Sequence, residues 1–510
     1  MSLQFIFGNS GSGKSHYLYQ QIVEESIRHP EKNYLVLVPE QFTMQTQKDL
    51  CMAHPRGGIM NIDVLSFGRL AHRVFEETGK ERQPILDDEG KNLVLRKIAG
   101  NYEDELTVLK GNLKKQGYIS EVKSVISEFT QYGIDFEQLD SFMEGLNPES
   151  YLYYKLKDIR KVYEGFEDYL RDKYITKEEL LDVLSQTVPE AKMLKGSVIA
   201  MDGFTGFTPV QNRLIGELLK VCDKIMLTVE IDRREDPFVY KHPYQLFALS
   251  KQMVTSLTEV AQEVRVEIDE PVWLCKNPPY RFKENPEMAF LEEELFRYSR
   301  RKYSGEKMRS ISLHEVHTPQ EEAQYVAEEI RRLVREEGYR YREIAVIASD
   351  LSTYADALEK ACDRYEIPVF MDHKKSILLN SFVEYLRSLL VMVEQNYTYE
   401  SVFRYLRTSL CGFTRDEVDR LENYCLALDL KGFKKWDQVW VRKTPMTTKE
   451  ELEELNHLRM RFVEKLIPLH TVLKKRKKTV KEITLAVYEY LVQEKIQEQL
   501  AELEQKFQEE

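Results

Sequence analysis

Gly8-Asn9-Ser10-Gly11-Ser12-Gly13-Lys14-Ser15 fits the phosphate-binding loop G-x-x-x-x-G-K-[ST] at every fixed position. The approach, Leu3–Phe7, reads as a buried strand. The exit, from Lys14 to about Arg28, reads as a helix with Tyr17, Leu18, Ile22 and Val23 near one face. Strand, glycine loop and helix are the context in which such a pattern becomes a site. The glycines let backbone N–H groups turn toward phosphate oxygens at the positive end of the helix. Lys14 can then reach the β- and γ-phosphates, and Ser15 can hold Mg²⁺.

Working outward, residues 1–80 alternate strand and helix. Tyr34–Val38 is an apolar run ended by Pro39, a helix is expected over Phe42–Cys51, and Asn61–Leu65 is a further strand before a helix over Phe67–Glu77. Buried strands separated by helices predict a parallel sheet covered on both faces. From Gln83 to about Lys195 only helical periodicity is visible. The α/β pattern then returns with a strand at Ser197–Met201, a helix at Val210–Val221 and a strand at Lys224–Glu230. This predicts a helical insertion, 83–195, inside a sheet domain made of 1–82 and 196–270.

A connector rich in proline and basic residues, 271–309, precedes a second α/β pattern at 310–377. Strands are expected there at Ser310–His317, Glu343–Ser349 and Pro368–Met371, with helices at Glu321–Glu337 and Leu351–Tyr365. Residues 378–510 read as helical throughout. The polar segment Lys481–Glu510 has no capping glycine or proline, as expected of a piece of a longer chain.

Composition narrows the classes. Of the 510 residues 42% are hydrophobic and 31% charged, typical of a globular protein with several domains. No apolar run is long enough to cross a bilayer, and Leu3–Phe7 is too short for a signal peptide. The six cysteines (Cys51, Cys222, Cys275, Cys362, Cys411, Cys425) form no C-x-x-C pair, which points to reduced thiols in a cytoplasmic protein. His314 and His317 fall on opposite faces of an expected strand, which argues for exposed histidines over metal ligands. The net charge of −12 weighs against a DNA-coating protein, though not against one local basic groove.

The order of segments resembles superfamily-one helicases of the UvrD type. Val38-Pro39-Glu40-Gln41-Phe42-Thr43 stands where such helicases carry a DNA-contacting motif. Val64-Leu65-Ser66-Phe67-Gly68-Arg69-Leu70-Ala71 resembles the next motif. Ile199-Ala200-Met201-Asp202-Gly203-Phe204-Thr205-Gly206-Phe207 resembles the Walker B segment. The departures are equally informative. Gly203 replaces the carboxylate that orients attacking water in active members. No G-D-x-x-Q motif follows Thr228–Glu230, and no nucleotide-contacting arginine lies in Ile344–Asp350.

Together with Phe7–Ser15 and Val38–Thr43, this pattern resembles the AddB family, the second subunit of a bacterial ATP-dependent helicase–nuclease. The resemblance implies an α/β fold with two RecA-like (P-loop NTPase) parallel-sheet domains, each with an all-helical insertion. It implies an inactivated helicase module that binds ATP with Mg²⁺ and scans single-stranded DNA for the Chi signal in double-strand break repair by homologous recombination. Its partners would be an AddA-type motor subunit and single- and double-stranded DNA. The family's C-terminal nuclease and iron–sulfur cluster are not expected within these residues, which carry no spaced cysteine set.

The resemblance and the loop chemistry agree on Gly8–Ser15 as nucleotide-binding. Asp202 is the Mg²⁺ candidate beside Ser15, with capping of the next turn as its structural alternative. Gln41, Thr43, Phe67, Arg69 and Phe207 fall on the family's DNA-contact positions, beyond strand ends where open α/β sheets place ligands. Phe67 and Phe207 have a competing role as core aromatics. The basic run Lys474–Lys478 and the basic-aromatic stretch Arg297–Arg309 are read as solvated faces by default. An autonomous P-loop ATPase or kinase is the alternative function.

Overall fold

In the computed structural model, which describes residues 1–79, 84–113, 115–171, 173–305, 308–372, 376–408, 410–445 and 447–509, packing divides the chain into Met1–Leu313 and His314–Glu510.

The first unit is organised by β1 (Ser2–Gly8), α1 (Lys14–Arg28), β2 (Tyr34–Leu37), α2 (Thr43–Ala53), β3 (Ile62–Leu65) and α3 (Phe67–Thr78). After the insertion these are joined by β6 (Val198–Met201), α9 (Pro209–Leu219), β7 (Lys224–Glu230), α10 (Ala248–Glu263), β8 (Glu267–Ile268), β9 (Val272–Trp273) and, in the connector, α11 (Pro286–Glu294). The strands run parallel in the order β3-β2-β6-β7-β1-β8, and β9 also pairs with β1. Every residue of β2 and β6 is buried, because helices cover both faces. Phe5, Leu37, Met201 and Leu227 face α3, α9 and α10. Ile6, Val36, Ala200 and Met226 face α1 and α2.

The insertion contains β4 (Ile85–Leu86), α4 (Asp88–Asn101), α5 (Gln116–Tyr132), α6 (Phe136–Glu144), α7 (Tyr151–Leu170), β5 (Ile175–Thr176) and α8 (Leu180–Thr187). Gln83, its expected first residue, lies outside the described residues. Its own apolar core runs from Val94 to Leu170. Buried Asp158 fixes the turn after α4 by accepting backbone N–H groups of Thr107, Val108 and Leu109. Leu180, Leu184, Val188 and Leu194 pack into the sheet core instead. The return to the sheet domain therefore comes before α8, earlier than the expected residue 196, because apolar periodicity alone does not tell which core a helix joins.

The second unit contains α12 (Pro319–Glu336) and α13 (Leu351–Arg364), packed on each other. These are followed by α14 (Ser381–Glu394), α15 (Tyr399–Leu406), α16 (Arg415–Ala427), α17 (Phe433–Asp437), α18 (Lys449–Leu473), α19 (Val480–Gln493) and α20 (Ile496–Glu509). The later helices share one core that includes Tyr397, Trp436, Phe462 and Leu469. The expected strands Ser310–His317, Glu343–Ser349 and Pro368–Met371 are not formed. A strand exists by its ladder, and each of these segments lies unpaired. Several of their apolar side chains stay on the surface, with Leu313 98% and Ile347 95% exposed. His314 meets Tyr325, ring Nδ1 to hydroxyl, at 2.9 Å.

Candidate nucleotide and nucleic-acid site

β1 ends at Gly8 and the chain reverses into α1. Gly13 caps α1 at φ 92°, a left-handed conformation that glycine adopts without strain, and no side-chain hydrogen bond caps the helix start. Gly11 has φ 72°, and a Cβ there would lie 2.9 Å from the Cβ of Arg281. The Lys14 ammonium donates to the Asn9 carbonyl at 2.9 Å, which holds it over the loop. Burial lowers its pKa, opposed by the carboxylates of Glu230, Asp202 and Glu292.

Asp202, just past the end of β6, collects three hydroxyl donors. Ser15 reaches Oδ1 at 3.1 Å, Thr228 of β7 reaches Oδ1 at 2.5 Å, and Tyr19 of α1 reaches Oδ2 at 2.8 Å. Tyr19 also meets Thr46 of α2 at 3.3 Å. Burial, and then the Asp202 charge, push the Tyr19 phenol far above its ordinary range, so it stays a donor. Ser15 and Asp202 thus form a compact set of hard oxygen donors beside the phosphate loop, the chemistry that Mg²⁺ takes. Gly203 follows at φ 77° and offers no carboxylate.

These groups line a cavity of about 820 Å³ together with Glu230, Ser250, Tyr280 and Arg281. Glu230, Tyr280 and Arg281 are among the members that sequence reasoning did not assign. Glu230 ends β7 in register with Gly8, two residues after Thr228 and therefore on the same strand face. Tyr280 and Arg281 belong to the connector, whose chain returns to the loop when the Arg281 N–H donates to the Gly11 carbonyl at 2.9 Å. The adjacent tyrosine and arginine after Pro278-Pro279 were the available signal. The connector's α11 also ties back, through Glu292 accepting the Asn9 amide at 2.8 Å. Burial raises the Glu292 pKa.

The sheet order β3-β2-β6 sets the following loops side by side. Arg69 and Gln41 are exposed on this edge, and Phe204 and Phe207 are half-buried beside them. Thr43 is buried, and its hydroxyl is spent on the Glu40 carbonyl at 3.0 Å. Phe67 is also buried, its ring 5.5 Å from that of Phe204 and 6.2 Å from that of Phe207. Both face inward because they open helices that pack on the sheet. Phe42, which sequence reasoning passed over, is 45% exposed and lies against Gly203. In the connector, Arg297 binds Asp232 and Glu235, and Arg301 binds Glu293 and Glu294, so these cations of the basic-aromatic stretch are neutralised internally.

The profile of the family described as ADDB, N-terminal, matches residues 5–292, more than half of the chain. The chain belongs to the AddB family. A second profile, the UvrD-like helicase C-terminal domain, matches residues 284–510, which bears out the UvrD-type resemblance. Among AddB-family relatives, an ATP-dependent helicase/deoxyribonuclease subunit from Lachnoclostridium phytofermentans is 39% identical over 99% of this chain and 44% of its own length. Its counterpart from Clostridium perfringens is 34% identical over 96% of this chain and 43% of its length. The one from Acetivibrio thermocellus is 32% identical over 100% of this chain and 45% of its length. The chain thus spans less than half the length of these AddB relatives. Among the described residues, no helix is long and apolar enough to cross a membrane.

Proposed function

We propose that this chain is the nucleotide- and DNA-reading part of a helicase–nuclease subunit, binding MgATP at Gly8–Ser15 and single-stranded DNA along the β3-β2-β6 loop edge. The observation that carries the reading is the Ser15–Asp202 hydrogen bond. It joins the phosphate loop to the strand end that follows it in the nucleotide fold, while Gly203 leaves the next position without an acid. Lys14 and the loop amides would hold the β- and γ-phosphates, and Arg281 would approach from the connector. Ser15 and Asp202 would hold Mg²⁺, which neutralises phosphate charge. Arg69 would pair with a DNA phosphate or a guanine edge, Gln41 would contact the strand, and Phe207 would stack a base.

The names of the relatives, each one subunit of a helicase and deoxyribonuclease, support assembly with a further subunit. In the proposed reading that partner would be a motor subunit of the AddA type, and the complex would act on single- and double-stranded DNA in recombinational repair and scan for Chi. A cytoplasmic site follows from such a substrate. Any nuclease and iron–sulfur cluster would belong to sequence outside these residues.

Titration with a fluorescent ATP analogue tests the core of the reading. Binding should be strengthened by Mg²⁺ and weaken at least roughly tenfold in Lys14→Ala, about 1.4 kcal/mol. Absence of binding at millimolar nucleotide would overturn it.

Glu230 favours a second reading, in which the chain hydrolyses ATP itself. Its carboxylate shares the cavity with Lys14 and Asp202 and is the first of the charges acting on Lys14. DNA-stimulated turnover by the purified chain, lost in both Lys14→Ala and Glu230→Gln, would establish this reading over the first.

A further inference from the structure

The long loop between β7 and α10 belongs to none of the motifs above, yet it is built and held. Ile231 is buried in the sheet core at its start. Asp232 is gripped by Arg234 and Arg297, and Glu235 by Lys251 and Arg297. Burial would raise the Asp232 pKa, but its bonds to Arg234 and the Arg297 charge outweigh this and hold it at about 2. Phe238 sets its ring edge-on against Phe5 and Phe7 of β1, with centroids 6.1 and 5.9 Å apart. Gln245 brackets the tip, its Oε1 accepting the N–H groups of Lys241 and His242 at 3.1 and 3.2 Å.

What this scaffold presents is aromatic. The rings of His242 and Tyr244 are stacked at 5.0 Å and only 6° from parallel. Tyr244 is 81% exposed, and Tyr240 stands two residues before His242 with 37% exposure. The loop's acids are occupied, since Asp236 accepts the Phe238 N–H at 2.9 Å while Asp232 and Glu235 hold the cations above. Arg233 and Lys241 are exposed. Parallel rings beside exposed cations on a pre-ordered loop match the chemistry of a single-stranded nucleic acid, with base on ring and phosphate on ammonium. The site also continues an existing line. β7 is the next strand after β6, so its loop prolongs the edge that carries Arg69, Gln41 and Phe207.

We propose that His242 and Tyr244, flanked by Tyr240 and Lys241, form a base-stacking platform for single-stranded DNA. The proposal deepens the DNA-binding reading above and rests on it. The test uses the full chain and a fluorescein-labelled oligothymidylate, followed by anisotropy. Tyr244→Ala and His242→Ala should each weaken binding by roughly fivefold or more. Tyr244→Phe, which keeps the ring, should bind within about twofold of the unsubstituted chain. Binding of a fluorescent ATP analogue should be the same in all three variants. Lys241→Ala should reduce the salt slope by about 0.7. An oligonucleotide carrying 5-iododeoxyuridine should photo-crosslink within Tyr240–Tyr244. If both alanine variants bind the oligonucleotide as the unsubstituted chain does, or crosslinks form only elsewhere, the platform is overturned while DNA binding stands. Variants that keep DNA affinity but lose a protein partner would mark a protein interface and overturn it too. An unsubstituted chain that binds nucleotide but no oligonucleotide overturns the DNA reading and the platform together.

Discussion

The phenol of Tyr19 donates to Oδ2 of Asp202 at 2.8 Å, on the far side of the carboxylate from the Ser15 hydroxyl. α1 thus both begins the phosphate loop and, one turn later, orients the carboxylate proposed to face the cation. A hydrogen bond of this kind fixes the ligand's direction without touching the metal.

Tyr19→Phe should therefore weaken Mg²⁺-dependent nucleotide binding by roughly tenfold. Binding in the presence of EDTA should be unchanged, because the loop amides and Lys14 do not depend on the phenol. Titration of a fluorescent ATP analogue with and without Mg²⁺ separates the two. Equal losses in both conditions would mean that the phenol only supports the fold.

Lys14 carries a pH signature. Burial lowers its folded-state pKa below the 10.5 of an ordinary lysine. Between the lowered value and 10.5 the unfolded chain binds more protons than the folded one, so the lysine's contribution to stability rises with pH there. Nucleotide binding runs the other way, since it needs the ammonium. Affinity should fall as pH climbs through the lowered pKa, before an exposed lysine would titrate. Lys14→Ala should bind weakly with no such limb. A flat profile in the unsubstituted chain from pH 7 to 10 would show that Lys14 does not titrate there in the free chain, and would overturn this reading.

In the second unit, His470 stacks on Phe433 with centroids 3.7 Å apart, and its Nδ1 meets the Tyr397 hydroxyl at 3.2 Å. Burial, and then the nearby Lys474, lower its pKa, opposed by Asp437. Below the ordinary histidine value the unfolded chain takes up a proton that the folded one resists. Stability should thus fall as pH drops from about 6.5 toward the folded-state pKa. Calorimetry of the second unit's transition between pH 7.5 and 5 should show this loss. His470→Gln should flatten it while lowering stability at neutral pH.

The glycine-loop half of the candidate site was legible because its signals are local. Gly8–Ser15 defines its own turn, and the runs Tyr34–Leu37 and Val198–Met201 are apolar because both sheet faces are covered. What stayed hidden depends on tertiary placement. Glu230 joins the cavity only through the register of β7 on β1. Arg281 does so only because the connector doubles back to Gly11. The motifs located Thr43 and Phe67 but not the direction of their side chains, which the packing of α2 and α3 turns inward. Val346 and Ile347 look like a buried strand because composition carries no record of whether a neighbouring strand is there to pair with.

Gly203 offers the sharpest test of the proposed loss of the acid. Its φ of 77° is a left-handed conformation, so any side chain there is strained by roughly 1–2 kcal/mol. A Cβ would meet Phe42 and Pro39 at 3.6 Å, an ordinary contact, so there is room but no comfortable backbone. Gly203→Glu should consequently lower the first unit's melting temperature by a few degrees and should leave ATP turnover at background. The residue lacks both a carboxylate and the backbone that would aim one. Gly203→Ala should show the same thermal loss, which assigns that loss to the backbone and not to charge. Robust DNA-stimulated hydrolysis in Gly203→Glu would mean instead that the remaining machinery is complete and that one substitution had silenced it.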